Sequence, residues 1–470
     1  MAEPAHVVLF PWNEQSHVTP IFSLGRALAN RGLHVTCGLP ATLYSSYRVI
    51  HKNTADALFH VECIEDADSA DLKDLVVHVV RRGTEQGLLK LLVRLQPPPT
   101  CLISDMLYTW VQDVADRFSI PCFKFSVFPA ITNLICCHIP DLLGRGLLPF
   151  QPGTEETMID FIPGVPKGFR LKDIPIDFLG RSTSELKIIA SMLDSRKEAG
   201  LVINTTYRLE AESLDALSAE GLQVYPVGPM FTMDWKTNEV HNDSSLHLED
   251  EDCLRWLDGQ PEGSVVYVAF GSIISLTKCE MQEVAMGLEA SGQPFLWVVR
   301  SVEGSVDAIT ALPSGFRERN QGRGRVVSWA PQAAVLSHPS VGCFISHCGY
   351  SSVLEALWTG VPILACFYKI SDQNTVFKVA TDEWGVALPL VQKASAMEEA
   401  ENAACGDYEG KPLRLSIEAG IKELMHTEKG NAVKRRCMQM KADMREVAKY
   451  GGSSEQSLDK LFVVLREKGV

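Results

Sequence analysis

The stretch from Trp329 to Gln373 carries the densest chemistry in the sequence. A strand-length apolar run, Val341–Ser346, leads into His347-Cys348-Gly349 and then into Tyr350-Ser351-Ser352, where a helical pattern opens. At such a turn Gly349 lets the backbone approach a ligand closely. The free N–H groups and the dipole of the new helix face the same point. His347 adds a donor and the hydroxyls of Ser351 and Ser352 add more, which makes a phosphate cradle needing little side-chain charge. Glu355 lies four residues beyond Ser351, on the same helical face, and suits the two hydroxyls of a ribose. Trp329, followed by Ala330, lies at a strand end and can stack on a nucleobase. Gln332 can reach that base with an amide that both donates and accepts. Asp372 and Gln373, after another strand, suit the hydroxyls of a sugar. Phosphate, diol, base and sugar together describe a nucleotide sugar.

Moving that sugar onto a hydroxyl calls for a base. His17 follows the first strand and immediately precedes a helix that starts near Thr19-Pro20. The positive end of that helix disfavours imidazolium, while a carboxylate partner holds the tautomer and stabilises the charge as it forms. Asp105, at the end of the strand Cys101–Ser104, reaches the same edge of the same expected sheet. The two influences oppose each other, and the sequence does not decide between them.

These residues need a scaffold, and the apolar pattern supplies one. Strand-length runs alternate with helix-period segments, so the expected class is α/β with mainly parallel sheets. In the first half the expected strands are His6–Phe10, His34–Cys37, Leu58–Cys63, Cys101–Ser104, Cys122–Ser126 and Leu201–Asn204. In the second they are Ser264–Phe270, Phe295–Val299, Val326–Ser328, Val341–Ser346 and Pro362–Cys366. Between the halves, residues 231–252 are polar and acidic and read as a linker. The expected division is 1–230, 231–252, 253–450 and a closing helix at 451–470. Open parallel sheets bind ligands at the carboxyl ends of their strands, so the two halves imply a cleft.

Composition narrows the field. The 470 residues carry 58 acidic and 44 basic side chains, a formal charge of −14, which disfavours nucleic-acid binding. No run of 18 apolar residues suggests a membrane span, and the first residues do not read as a signal peptide. The 13 cysteines are scattered, with no C-x-x-C pair, and read as reduced thiols of a cytoplasmic protein. No P-loop, G-x-G-x-x-G, H-E-x-x-H or G-x-S-x-G motif occurs. Cys343, His347, Cys348 and His338 do not make a convincing zinc set, so neither metal nor cofactor is expected.

The stretch Trp329–Gln373 resembles the signature box of plant family-one UDP-glycosyltransferases. Trp256-Leu257-Asp258, Ser264–Ser272, Phe295–Arg300, Gly451–Ser454, Ile203–Leu209 and Val227-Gly228-Pro229 extend the resemblance along nearly the whole chain. It implies a GT-B fold: two Rossmann-like domains facing across a cleft, acceptor site in the first, UDP-sugar in the second, the last helix crossing back. Carried over by position, Trp329 and Gln332 would hold the uridine and Glu355 the ribose. His347, Gly349, Ser352 and Ser272 would hold the diphosphate, and Asp372 and Gln373 the sugar. His17 and Asp105 match the catalytic pair, which implies inversion at the sugar. Three departures stand out: Tyr350 replaces a Trp, Ser351 replaces an Asn, and the segment before Asp372 is one residue longer. The expected activity is transfer of a sugar, glucose first, to a small lipophilic acceptor such as a flavonoid or another phenol. Variable loops around Thr84–Leu88 and Cys136–Leu148, the second largely apolar, are expected to line its pocket. The departures keep a non-catalytic nucleotide-binding descendant in view. A nicotinamide-dependent oxidoreductase is disfavoured by the missing glycine motif.

Overall fold

The computed structural model describes residues 5–50, 57–65, 84–231, 246, 250, 252–274, 276–300, 311–366, 370–391, 407–408 and 411–467. Contacts divide the chain into two compact units: Met1–His247 with Arg445–Val470, and Leu248–Met444.

The first unit runs β1 (His6–Phe10), α1 (Gln15–Ala29), β2 (His34–Pro40), α2 (Ala41–Ile50), β3 (Phe59–Ile64), α3 (Glu85–Arg94), β4 (Cys101–Asp105), α4 (Val111–Phe118) and β5 (Cys122–Ser126). It continues with α5 (Ala130–Cys137), α6 (Ile139–Gly144), α7 (Thr183–Leu193), β6 (Gly200–Ile203), α8 (Tyr207–Ala219) and β7 (Val224–Pro226). The strands form one parallel sheet in the order β3-β2-β1-β4-β5-β6-β7. β1, β4 and β5 are buried along their whole length. Helices on both faces require that, and the strands accordingly read as nearly unbroken apolar runs. β1 and β4 are in register from Val7 opposite Cys101 to Phe10 opposite Ser104, so both end at one edge.

The start of α1 corrects the expectation at Thr19-Pro20. Glu14 is the extended N-cap, with φ −146°, and its carbonyl accepts from the N–H groups of His17 and Val18. His17 is therefore inside the first turn and not ahead of it. Pro20 sits within the helix and forfeits one helical hydrogen bond. Val18, Ile21, Phe22, Leu24 and Leu28, all fully buried, hold the turn in place.

The second unit contains α9 (Asp252–Asp258), β8 (Val265–Ala269), α10 (Lys278–Ser291), β9 (Phe295–Val298), α11 (Phe316–Arg319), β10 (Gly324–Val327), α12 (Gln332–Ser337) and β11 (Val341–Ser346). Then come α13 (Tyr350–Thr359), β12 (Ile363–Cys366), α14 (Gln373–Lys378), β13 (Ala387–Val391), the two-stranded β14 (Asp407–Tyr408) and β15 (Lys411–Pro412), α15 (Leu413–His426) and α16 (Glu428–Ala448), whose last four residues group with the first unit. Its parallel sheet has the order β10-β9-β8-β11-β12-β13. Counted from its own first strand, this is the order 3-2-1-4-5-6, shared with the first six strands of the other sheet. Residues 367–369, part of the stretch between Pro362 and Asp372 expected to be one residue longer than the family pattern, lie outside the described residues, as does most of 231–252.

The last helix, α17 (Ser453–Glu467), belongs to the first unit. Leu458, Leu461 and Leu465 are fully or almost fully buried in the core built by β1, β2 and α1. Arg31 pairs with Asp459 at 2.9 Å across 428 residues of sequence. Among the described residues no helix is long and apolar enough to cross a membrane. Eleven described cysteines are free thiols, most of them buried. Cys279 is the exception to the expected reduced state: it is disulfide-bonded. It lies partly buried at the start of α10.

Truncating Leu461 to Ala should destabilise the first unit by about 2–4 kcal/mol, while Val463→Ala on the exposed side should cost less than about 0.5 kcal/mol. Urea titration of both variants would check this. Equal midpoints would show that α17 contributes nothing to that core.

Candidate functional site

In the first unit the chemistry gathers where β1 and β4 end. Asp105 is the last residue of β4 and is completely buried. Its Oδ1 accepts from the backbone N–H of Leu107 at 3.0 Å. Its Oδ2 lies 2.6 Å from Nδ1 of His17, itself 6% exposed. With the Nδ1 proton held by Asp105, the imidazole lone pair is at Nε2. The Phe128 ring packs edge-on to His17 with centroids 6.0 Å apart. The structure thus brings together two residues 88 positions apart.

The loops expected to line an acceptor pocket behave differently. In the segment Thr84–Leu88, Glu85 is buried against Arg117 at 3.1 Å and Leu88 is core. The segment Cys136–Leu148 does line a cavity of about 600 Å³, with Thr183, Lys187, Ala190, Ser191, Asp194 and Arg196 opposite. That cavity is not beside His17. α5 leaves the carboxyl edge of the sheet after β5 and ends at Cys137. His138 then lies 3.7 Å from Glu220, the C-cap of α8, and Asp194–Arg196 precede β6. All of these mark the amino edge of the sheet. The direction in which a helix leaves a strand, and not its composition, decided the matter.

In the second unit the corresponding place is the carboxyl edge of β8 and β11, which are in register up to Ser346 opposite Ala269. β11 ends in a turn in which Cys348 takes φ +62°, and Gly349 is the N-cap of α13. A left-handed residue other than glycine costs roughly 1 kcal/mol or more and persists where the surroundings enforce it. His347 is wedged between two glycines. A Cβ at Gly349 would meet its Nε2 at 2.4 Å, and one at Gly271 would meet it at 2.5 Å. Ser272 follows Gly271 directly. Burial pushes the His347 imidazole down to about 4, and the nearby Ala269 carbonyl offsets only part of that. The ring is therefore neutral at pH 7 and offers a hydrogen bond, not a charge.

Around this turn the side chains interlock. Gln332, first residue of α12, donates from Nε2 to Ser352 Oγ at 2.9 Å and to Glu355 Oε2 at 2.6 Å. Its Oε1 accepts from the Tyr267 hydroxyl at 3.3 Å. Two helices and a strand thus set the amide and the carboxylate against each other. The guanidinium of Arg300 lies 5.8 Å from the Trp329 ring centre, with Ala330 buried beside it. Neither Tyr267 nor Arg300 was expected from the sequence as part of the site, although each lies in a segment that carries the resemblance.

Tyr350 is the first residue of α13. Its ring is buried and packs against Trp384 at 6.4 Å, so the side chain that replaces the family's Trp faces protein. Ser351 is half-exposed at the start of α13. Asp372 and Gln373 are buried at the start of α14, which follows the neighbouring strand β12. Among the described residues no group of three or more His, Cys, Asp or Glu side chains could hold a metal ion.

Known proteins are similar to this chain in sequence and fold. The family model described as UDP-glucoronosyl and UDP-glucosyl transferase matches residues 233–404. Linamarin synthase 1 from Manihot esculenta is 32% identical, over 99% of this chain and 98% of its own. The chain belongs to the plant family-one UDP-glycosyltransferases. UDP-glycosyltransferase 86A1 from Arabidopsis thaliana is 30% identical over 97% of this chain and 94% of its own. Among solved structures, Phytolacca americana UGT2, complexed with UDP-2fluoro-glucose and pterostilbene, is similar with a TM-score of 0.80. It is 27% identical, over 98% of this chain and 99% of that one. The fold of this glycosyltransferase is accordingly GT-B, and it is an enzyme.

The wedged histidine of the glycosyltransferase makes a test. Unfolded, His347 takes up a proton near pH 6.5; folded, near 4. Stability is therefore lost as pH falls through that window, by up to about 3 kcal/mol from this group. His347→Gln should flatten the fall in denaturation midpoint between pH 7 and 4.5. Parallel curves for the two proteins would contradict the burial argument.

Proposed function

We propose that this glycosyltransferase moves a sugar, most naturally glucose, from its UDP conjugate to a hydroxyl of a small lipophilic acceptor such as a flavonoid or another phenol. The observation that carries the reading is the buried His17–Asp105 contact at 2.6 Å. The acceptor oxygen attacks the anomeric carbon, the bond from that carbon to the diphosphate oxygen breaks, and UDP leaves. His17 Nε2 takes the hydroxyl proton, and Asp105 stabilises the imidazolium that forms. One displacement, with no covalent sugar–enzyme intermediate, inverts the anomeric carbon.

On the donor side, Trp329 and Ala330 border the base, and Gln332 meets the uridine. Glu355 takes the ribose hydroxyls. His347, Ser272, Ser352 and the backbone at Gly349, Tyr350 and Ser351 hold the diphosphate. Asp372 and Gln373 meet the sugar. The mutual hydrogen bonds of Gln332, Ser352 and Glu355 support this assignment, because they hold the polar atoms in place before a ligand arrives. Relatives named 7-deoxyloganetin glucosyltransferase and (R)-mandelonitrile beta-glucosyltransferase support glucose and a small acceptor. Pterostilbene in the Phytolacca americana structure favours a phenol.

With UDP-glucose and a panel of phenols, His17→Ala should lower acceptor-dependent UDP release by about 10²–10⁴-fold, with UDP affinity retained. Asp105→Asn should be impaired as well. Unchanged turnover in His17→Ala would end the catalytic assignment. Gly349→Ala should weaken UDP binding by tenfold or more, roughly the 1.4 kcal/mol of one lost close contact. Calorimetric titration with UDP would measure it.

A further inference from the structure

Glu14 stands three residues ahead of His17, as the N-cap of α1. Its carbonyl accepts the N–H of His17 at 3.0 Å and of Val18 at 2.9 Å. Glutamate and imidazole are therefore held on one turn. N-caps are normally short side chains that reach back to the helix N–H groups. Glu14 makes no such cap bond, and its carboxylate has neither hydrogen bond nor ion pair among the described residues. Capping does not explain it. The side chain is half-buried. Burial raises its carboxyl above the usual range, His17 pulls it down and Asp105 pushes it up, so both lie within its electrostatic reach.

This puts a second carboxylate beside the one imidazole that an acceptor hydroxyl must approach. Asp105 has its charge committed to His17 and to the Leu107 N–H, whereas Glu14 has no such partner. The nearby rings of Trp12 and Tyr108 are buried and that of Phe128 is half-buried, which lowers the polarity at this end of the sheet. In that setting like charges repel far more strongly than in bulk water. An acceptor with its own anionic group next to the reacting hydroxyl would add a third negative charge to this corner.

We propose that Glu14 is a specificity-determining residue that rejects acceptors carrying a carboxylate beside the reacting hydroxyl and so selects neutral ones. The inference rests on the reading of His17 and Asp105 as the acceptor end of the site. It concerns the choice of acceptor, and the base itself stays His17.

The test compares 2-hydroxybenzamide with 2-hydroxybenzoate as acceptors at saturating UDP-glucose, in the wild type, Glu14→Gln and Glu14→Asp. The readout is the ratio of kcat/KM for amide over carboxylate, and comparing this ratio between proteins cancels the intrinsic reactivity of the two phenols. The wild-type ratio should exceed about ten, and Glu14→Gln should narrow it by about fivefold or more, as expected for removal of one nearby like charge. Glu14→Asp, which keeps the charge, should stay close to the wild-type ratio. An unchanged ratio in Glu14→Gln, or a wild-type preference for the carboxylate, overturns the proposal. So does turnover of neither phenol. Failure of the underlying reading is seen separately, as full activity in His17→Ala.

Discussion

In each parallel sheet the strand order reverses once, and the site residues depend on that reversal. Chain segments leaving the two strands at such a point turn to opposite faces, which opens a crevice at their carboxyl ends. In the first unit the point lies between β1 and β4, and His17 and Asp105 flank it. In the second it lies between β8 and β11, flanked by Gly271-Ser272 on one side and His347-Cys348-Gly349 on the other. A one-residue slip of β4 against β1 would carry Asp105 by about 3.3 Å along the strand and turn its side chain to the other face, breaking a contact of 2.6 Å. The His17–Asp105 geometry is in this sense a property of sheet register.

The second crevice is lined mainly by neutral polar groups, with the Arg300 guanidinium 3.5 Å from the Gly271 carbonyl. The His347 imidazole is neutral because two glycines let the backbone close around it. Helix N–H groups and hydroxyls supply the remaining polarity. On the proposed reading, a chain with a formal charge of −14 would meet a nucleoside diphosphate through local dipoles, with little contribution from the protein's long-range field.

Much of this was legible from the residues alone, for a physical reason. Strands covered on both faces must be apolar throughout, and β1, β5 and β11 show the same boundaries in the sequence and in the structure. The His347–Ser352 turn was legible because glycine, strand and helix signals coincide there. Features fixed by packing were not. The start of α1 was misplaced because Thr19-Pro20 is a good local start signal, while Glu14 caps the helix with its backbone and leaves no side-chain signature. β7, three residues long and ending in Pro226, is too short to register as an apolar run. The links among Gln332, Ser352 and Glu355 join separate helices, and no spacing rule within one helix could show them.

The placement of α17 bears on how the chain matures. Three of its leucines complete a core whose other members come from the opening strands and helix, and the whole of the second unit is translated between them. On the ribosome the earlier-made half must wait, with an apolar groove uncovered, while the later-made half emerges and folds. The order of synthesis and the order of completion are thus reversed, and the amino-terminal unit is the last to become fully closed.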